Sequence, residues 1–202
     1  MLSDPARFKV ASCGRRFGKT RLAGYWAAMA PGRSALAGYP VAWFAPTYKI
    51  LLDAWGQFER NLKPVIKSVN KADRRMVLTT GGVVDFWTLE DEDAGRGRKY
   101  ARIVIDEAAH ARKLEQVWTR AILPTLSDLR GEAWLISTPR GGNYFKVLYD
   151  LGGKSPGWAA ITAPTSANPR IHPDEIETQR LMLPARIFAQ EFLAEFIADG
   201  AG

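Results

Sequence analysis

The stretch that decides the fold lies near the start of the chain, at residues 8–20, and reads FKVASCGRRFGKT. Its first part, Phe8 to Ser12, is apolar enough for a short buried strand, and its last three residues are Gly18-Lys19-Thr20. An alanine-rich stretch follows, is predicted to be helical and ends near Pro31. A strand, a glycine-containing loop and a helix in this order form the phosphate-binding arrangement called Walker A. The stretch therefore predicts a nucleotide-binding loop in an α/β domain.

The loop departs from the Walker A pattern at one position. The pattern asks for a glycine five residues before Gly18, but Cys13 stands there and the glycine is Gly14. Backbone N–H groups of such a loop surround the β-phosphate, the lysine reaches the β- and γ-oxygens, and the Thr hydroxyl binds Mg²⁺. An ordinary glycine-containing turn is the alternative that this segment alone leaves open. The predicted nucleotide-binding residues are Gly14, Arg15, Arg16, Phe17, Gly18, Lys19 and Thr20, with Thr20 also a magnesium ligand.

Two carboxylates end a second apolar strand, in the run Ile103-Val104-Ile105-Asp106-Glu107. The carboxyl ends of parallel strands meet at one edge of a sheet, so this pair is expected beside the phosphate loop. Asp106 fits the Walker B aspartate that holds Mg²⁺, and Glu107 fits the catalytic base that polarises the attacking water. A strand that runs into a solvated turn is the alternative, which the Walker A match disfavours. Together the two motifs predict an ATP hydrolase.

The next buried strand ends in two hydroxyls, Ser137 and Thr138, followed by Pro139. A hydroxyl at this place, assigned to Thr138, is expected to contact the γ-phosphate or the attacking water and to report hydrolysis to the rest of the domain. A polar turn, in which both hydroxyls cap backbone groups, remains the alternative.

Strands and helices alternate along the rest of the chain. This alternation predicts an α/β P-loop NTPase fold of the ASCE, RecA-like type, with a mainly parallel central sheet flanked by helices on both faces. Further strands are predicted at 41–45, at 76–78 and 83–89 as a hairpin with a glycine turn, at 133–136 and at 158–161. Helices are predicted at 48–62, 114–123, 144–149 and 175–196, the last broken at Pro184.

Composition limits the function classes further. The chain has 202 residues, of which 47% are hydrophobic and 24% charged, as in ordinary globular domains. A single cysteine, Cys13, suits a reducing compartment, and no apolar run is long enough to cross a bilayer, so no membrane partner is expected. The net charge of +7 fits a polyanionic partner or a solubilising surface, which charge alone does not separate.

In combination these segments resemble the large terminase subunit of tailed bacteriophages, the motor that pumps DNA into preformed capsids. The resemblance implies ATP and Mg²⁺ as cofactors and double-stranded DNA, the portal protein and the small terminase subunit as partners. It also implies a homo-oligomeric ring on the procapsid, in the host cytoplasm. The segments that carry it are 14–20, 44–48, 96–98, 104–109, 137–143, 165–169 and 190–196.

The resemblance also implies a division of the chain. Residues 1–196 are expected to form the ATPase domain, with 170–196 a C-terminal helical segment, and 197–202 to begin a linker. Family members carry a nuclease domain after that point, so no nuclease activity is expected from this chain. A helicase-like, nucleic-acid-dependent ATPase and a slow nucleotide-switch binding module are the alternative functions.

Two groups of basic residues are further candidates. Arg96 lies in the loop Gly95-Arg96-Gly97-Arg98, whose glycines let a side chain project. The loop is expected at the far end of the strand from the acidic pair, so Arg96, with Arg98 as runner-up, is predicted to act on the nucleotide of a neighbouring subunit. The corresponding arginine of related terminases is thought to act in this way. Beside the predicted hairpin, Lys71, Arg74 and Arg75 are candidates for DNA contacts, with a solvated basic turn as the alternative.

Overall fold

Eight strands share one sheet in the computed structural model, which describes residues 1–197. The strands are β1 (Phe8–Cys13), β2 (Pro40–Ala45), β3 (Ile66–Asn70), β4 (Arg75–Leu78), β5 (Val83–Thr88), β6 (Arg102–Asp106), β7 (Glu132–Ser137) and β8 (Trp158–Ala163). The helices are α1 (Lys19–Ala28), α2 (Tyr48–Leu62), α3 (Leu114–Val117), α4 (Leu123–Thr125), α5 (Tyr144–Tyr149), α6 (Pro173–Met182) and α7 (Ala185–Phe192). A π-helical turn, Trp118–Ile122, joins α3 to α4, so the single helix predicted at 114–123 contains a bulge.

The strand order is β3-β4-β5-β2-β6-β7-β1-β8, and only the pairs β3–β4 and β4–β5 are antiparallel. The predicted mainly parallel sheet is therefore confirmed. Strand β7 lies between β1 and β6, with Ser137 beside Ser12 and Ile136 beside Asp106. This register brings the carboxyl ends of three neighbouring strands, which carry the phosphate loop, the acidic pair and the two hydroxyls, to one edge.

Helices cover both faces of the sheet, as predicted. On one face Trp26 of α1 stacks on Trp134 of β7, with ring centroids 4.3 Å apart, and Phe58 of α2 packs edge-on against Trp43. The other face buries a cluster that includes Trp118, Ile122, Phe145 and Leu148. Central strands buried on both faces explain why their sequences are continuously apolar rather than alternating.

Local signals account for α2 and for the hairpin. The Thr47 hydroxyl accepts a hydrogen bond from the Ile50 backbone N–H, which caps the start of α2. The residues of α2 that are buried, Leu51, Ala54, Phe58 and Leu62, recur at helical spacing. Strands β4 and β5 form the predicted hairpin around Gly81, whose φ of +87° suits a glycine.

The sequence prediction missed or misplaced two elements. Strand β3 was not predicted because its residues are mostly exposed and polar at the edge of the sheet, where Lys67 and Asn70 face solvent. The tail helix breaks at Pro184 as predicted but ends at Phe192 rather than at 196. It ends there because Ala194 adopts a left-handed conformation (φ 62°) and turns the chain back onto β1. The predicted linker falls mostly on residues 198–202, which lie outside the described residues.

Among residues 1–197, no helix combines the length and the apolar character that crossing a bilayer requires.

Candidate active site

The phosphate loop follows β1 and turns through two left-handed residues, Arg16 (φ 60°) and Gly18 (φ 99°), before α1 begins at Lys19. Gly18 takes a conformation that side chains disfavour, so the second glycine of the motif has a backbone reason. Gly14 has a steric one. A Cβ there would lie 2.6 Å from both the Phe192 carbonyl oxygen and the Thr165 nitrogen. The glycine is therefore needed at this position because the end of the chain packs directly on the loop.

That end of the chain holds the phosphate loop at both of its arginines. The Arg15 N–H donates to the Glu191 carbonyl (2.7 Å), and its guanidinium pairs with the Glu191 carboxylate (2.9 Å). The Thr165 hydroxyl donates to the Arg15 carbonyl (2.7 Å), and the Asn168 amide donates to the Arg16 carbonyl (2.6 Å). The resemblance pointed to segments 165–169 and 190–196 without a role, and the structure supplies one: they support the loop.

The predicted catalytic side chains meet at the carboxyl edge of β6, β7 and β1. The Lys19 ammonium lies 3.0 Å from Glu107 Oε1 and 3.4 Å from the Thr138 hydroxyl. The Thr20 hydroxyl lies 3.4 Å from Asp106 Oδ1. The structure thus brings together the phosphate-binding lysine, the two candidate magnesium ligands, the candidate base and the strand-end hydroxyl.

Glu107 is further fixed by its backbone and its neighbours. Its φ of 49° is left-handed, a conformation that costs a non-glycine residue energy and is concentrated at functional sites. The Ser137 hydroxyl donates to Glu107 Oε2 (3.4 Å) and accepts from the Ala109 N–H (3.1 Å). His110 Nδ1 lies 3.9 Å from the same carboxylate oxygen. No sequence signal indicated a role for His110 or the division between the two hydroxyls, in which Ser137 holds Glu107 and Thr138 faces Lys19.

Burial changes the proton affinity of the groups at this edge. Burial raises the pKa of Asp106 to about 7, the nearby Glu107 charge raises it further, and Lys19 and the Thr20 hydroxyl oppose the rise. The side chain is 2% exposed. Burial also raises the pKa of Cys13 to about 12, so this thiol stays protonated at neutral pH and is not a nucleophile. The pKa of His110 is lowered, chiefly by burial.

These side chains line a cleft of about 670 Å³ between the phosphate loop and α2. Of the predicted residues, Arg15, Arg16, Lys19, Thr20, Asp106, Glu107 and Thr138 line it. Residues that the sequence did not single out line it too, among them Thr47, Asp53, Gln57 and Glu191. A cleft with cations on one wall and paired carboxylates on the other can bind a phosphate chain and activate a water molecule beside it.

Arg96 does not line the cleft. Its side chain is 71% exposed and pairs with Asp93 at 2.7 Å. The loop that carries it is anchored, since Ala94 is buried and Gly95 would place a Cβ 3.0 Å from the Phe44 ring. The expectation that the loop starts at the far end of β6 was wrong. Because β5 and β6 are both parallel to β2, their connection starts at the carboxyl edge and crosses the sheet to reach the start of β6.

The basic residues beside the hairpin differ in their surroundings. Arg75 donates twice to the buried Asp85, at 2.6 and 2.8 Å, so its guanidinium is engaged inside the protein and is not a free DNA contact. Lys71 is exposed and half-buried Arg74 lies 5.6 Å over the Tyr48 ring.

A phosphate loop on β1, an acidic pair on β6 and a polar strand end on the intervening β7 define a P-loop NTPase of the RecA-like type. The sequence profile of the family described as "Terminase large subunit, T4likevirus-type, N-terminal" matches residues 10–202. The chain therefore belongs to the large terminase family and represents its N-terminal part.

Individual relatives agree with this assignment. The large terminase subunit of Escherichia phage T5 is 31% identical over 204 aligned residues, which cover 96% of this chain and 45% of that protein. The ATPase domain of the Thermus phage P74-26 large terminase superposes with a TM-score of 0.74 at 24% identity, covering 96% of this chain and 90% of that one. The large terminase of another thermophilic bacteriophage superposes at 0.76 with 19% identity, covering 97% and 50%. The chain thus spans about half the length of the full-length relatives it matches.

Proposed function

We propose that this chain hydrolyses ATP with Mg²⁺ and that hydrolysis drives double-stranded DNA into a procapsid. The single observation that carries the proposal is the convergence of Lys19, Thr20, Asp106 and Glu107 on one cleft at the carboxyl edge of the sheet. These are the residue types that phosphoryl transfer needs: a cation for the phosphates, oxygen ligands for the metal and a carboxylate for the water.

The choice of nucleotide rests on the relatives. Structures of the second thermophilic-phage terminase were determined in complex with ADP and with ATP-γ-S. The P74-26 match is named an ATPase domain and is covered over 90% of its length. The site here has the loop and carboxylates that an ATP hydrolase requires, so ATP is the proposed substrate.

The residues at the metal position fit Mg²⁺. The Thr20 hydroxyl and an Asp106 carboxylate oxygen lie 3.4 Å apart, and both are the hard oxygen ligands that this ion prefers. Mg²⁺ is commonly held by one or two carboxylates together with substrate phosphates, which suits a site with these two protein ligands. When bound, the ion would neutralise charge on the β- and γ-phosphates.

The remaining steps belong to this chain's own groups. Lys19 binds the β- and γ-oxygens, and the phosphate loop orients them against its N–H groups. Glu107, held by the Ser137 hydroxyl, orients the attacking water and takes its proton. Thr138 ends the strand between the two motifs and faces Lys19, so its hydroxyl is placed to respond to the loss of the γ-phosphate.

The wider assembly follows from the family. We infer that the chain works in a homo-oligomeric ring docked on the procapsid in the host cytoplasm, with the portal protein and the small terminase subunit as partners. The helicase-like ATPase and the slow nucleotide switch remain the competing functions. Glu107, strained and held beside Lys19, supports hydrolysis over a pure switch, because a protein that only binds nucleotide needs no base at this position.

The test is phosphate release from Mg²⁺-ATP by the purified chain, with and without duplex or single-stranded DNA. Turnover that duplex DNA stimulates and single strands do not would support a packaging motor. Stimulation by single strands alone would favour the helicase-like function. Tight binding of ATP without turnover, in a sample that a cross-linker shows to be oligomeric, would favour the switch. Lys19→Ala serves as the inactive control and Gly142→Ala as the surface control, since a Cβ at Gly142 meets nothing within 4 Å.

A further inference from the structure

A second cleft adjoins the nucleotide cleft at His110, whose side chain lines both. It has a volume of about 770 Å³ and is formed mainly by two loops, one leaving β6 after Glu107 and one leaving β7 after Ser137. The first loop contributes Arg112 and the second Arg140. The cleft is therefore built on the two strand ends that face the catalytic groups.

Both guanidinium groups in this cleft are exposed. Within the described part of the chain, neither Arg112 nor Arg140 has an ion-pair or hydrogen-bond partner. Neighbouring cations differ, since Lys113 pairs with Glu92 at 2.9 Å and Arg75 is held by Asp85. One carboxylate, Glu115, also lines the cleft, and two arginines against one glutamate leave its wall positive.

The two loops are tied to each other and to the catalytic carboxylate. The Asn143 side-chain amide donates to the Ala109 carbonyl at 2.7 Å, which joins the loop after β7 to the loop after β6. The Ala109 N–H donates to the Ser137 hydroxyl at 3.1 Å, and that hydroxyl donates to Glu107 at 3.4 Å. A movement of Glu107 therefore reaches both arginine-bearing loops through three hydrogen bonds.

We propose that this cleft binds the phosphodiester backbone of duplex DNA, with Arg112 and Arg140 each contacting a phosphate. The proposal rests on the DNA-translocating function proposed above and names where the chain grips its substrate. A motor must hold any sequence, so its contacts go to the backbone rather than to base edges. The planar guanidinium group matches a phosphate with two parallel N–H donors, which favours arginine for this contact.

The position in the sheet favours this cleft over the hairpin. Lys71 and Arg74 lie in the turn between β3 and β4, and strands β5 and β2 separate that edge from β6. No strand separates Arg112 and Arg140 from the catalytic groups, because they lie on the loops that continue β6 and β7. A contact here changes with the state of the nucleotide site, whereas a contact at the hairpin has no such direct path.

The test measures duplex binding by fluorescence anisotropy across a range of salt concentrations. The unaltered chain is compared with an R112Q/R140Q double variant, with R112K/R140K, which keeps the charge, and with the hairpin variant K71Q/R74Q. We expect R112Q/R140Q to weaken binding about equally for all sequences and to reduce the slope of log affinity against log salt by about 1 per lost phosphate contact. The lysine variant should keep most of the slope, and circular dichroism checks that each variant is folded.

A wild-type salt slope in R112Q/R140Q would overturn the inference, whichever way the hairpin variant behaves. Failure of the unaltered chain to bind duplex DNA at low salt would overturn it as well. Neither result bears on phosphate release from ATP, which decides the proposed hydrolysis separately.

Discussion

The Lys19 ammonium lies 3.0 Å from Glu107 Oε1, so the cation expected to bind phosphate and the base expected to activate water neutralise each other. Both side chains are largely buried, with 11% and 26% exposed, which strengthens the attraction relative to a surface pair. Phosphate oxygens that bind Lys19 must replace the carboxylate of Glu107. In the proposed reaction, nucleotide binding therefore releases the base at the moment when a substrate is present.

This relationship predicts opposite effects of two substitutions on nucleotide affinity. Lys19→Ala should abolish binding of Mg²⁺-ATP, because it removes the cation that faces the β- and γ-phosphates. Glu107→Gln should bind ATP at least as tightly as the unaltered chain, because Lys19 no longer has a carboxylate to leave. Its turnover should fall by about 10²–10⁴-fold, the usual effect of losing a general base. Calorimetric titration gives the affinities and phosphate release gives the rates. Turnover within a few-fold of the unaltered chain in Glu107→Gln would sink the assignment of the base.

The raised pKa of Asp106 predicts that the ligand-free protein becomes less stable as the pH rises. The pKa is about 7 in the folded chain and about 3.8 when exposed, so the folded state holds a proton that the unfolded state releases between these values. Stability from this group is therefore complete below about pH 3.8, declines as the pH rises toward about 7 and is level above it. Urea unfolding in EDTA, at several pH values across this window, measures the decline.

Asp106→Asn is the matched control for that experiment, because the amide has the same shape and does not titrate. Its stability should lack the decline that Asp106 contributes between these pH values. Identical pH profiles for the two proteins would show that Asp106 is ionised in the folded chain at low pH, contrary to the burial argument.

Gly14 predicts a link between the phosphate loop and the end of the chain. In Gly14→Ala the new Cβ would lie 2.6 Å from backbone atoms of both Phe192 and Thr165, which cannot both withdraw without moving their segments. We expect a loss of about 1–3 kcal/mol in the free energy of unfolding, the usual cost of overpacking. The KM for ATP should rise at the same time, because the loop carries the phosphate contacts.

Gly142→Ala is the comparison for Gly14→Ala. It places a methyl group in open space on a surface loop and should change neither the stability nor the KM measurably. Equal melting temperatures for the two alanine variants would contradict the close packing of the tail on the phosphate loop.

The sequence predicted most of the fold and the catalytic cluster because both depend on local signals. Apolar strands followed by polar residues located β1, β6 and β7, and residues at the ends of those strands necessarily meet at one edge. Long-range packing was beyond it. Nothing local in Arg75 distinguishes a solvated cation from the partner of buried Asp85, and nothing in Gly14 shows that Phe192 packs on it. The path of the Arg96 loop also depended on a strand order that local patterns do not determine.

The last prediction is that Arg96 completes the catalytic site of a neighbouring subunit. Within the described chain it is absent from the nucleotide cleft, 71% exposed and carried by a loop that buried Ala94 and tightly packed Gly95 hold in place. A fixed loop with a projecting cation suits insertion into another subunit, where an arginine at the γ-phosphate raises the rate by about 10³–10⁵-fold. Arg96→Ala should therefore lower turnover by that order in assemblies while leaving ATP binding by the single chain intact. Arg98→Ala, the runner-up in the same loop, is the matched comparison. Mixing Arg96→Ala with Glu107→Gln subunits should restore part of the activity, because one interface then contains both a normal arginine and a normal base. Full activity in an assembly made wholly of Arg96→Ala subunits would end the hypothesis, and loss in Arg98→Ala alone would transfer the role to that residue.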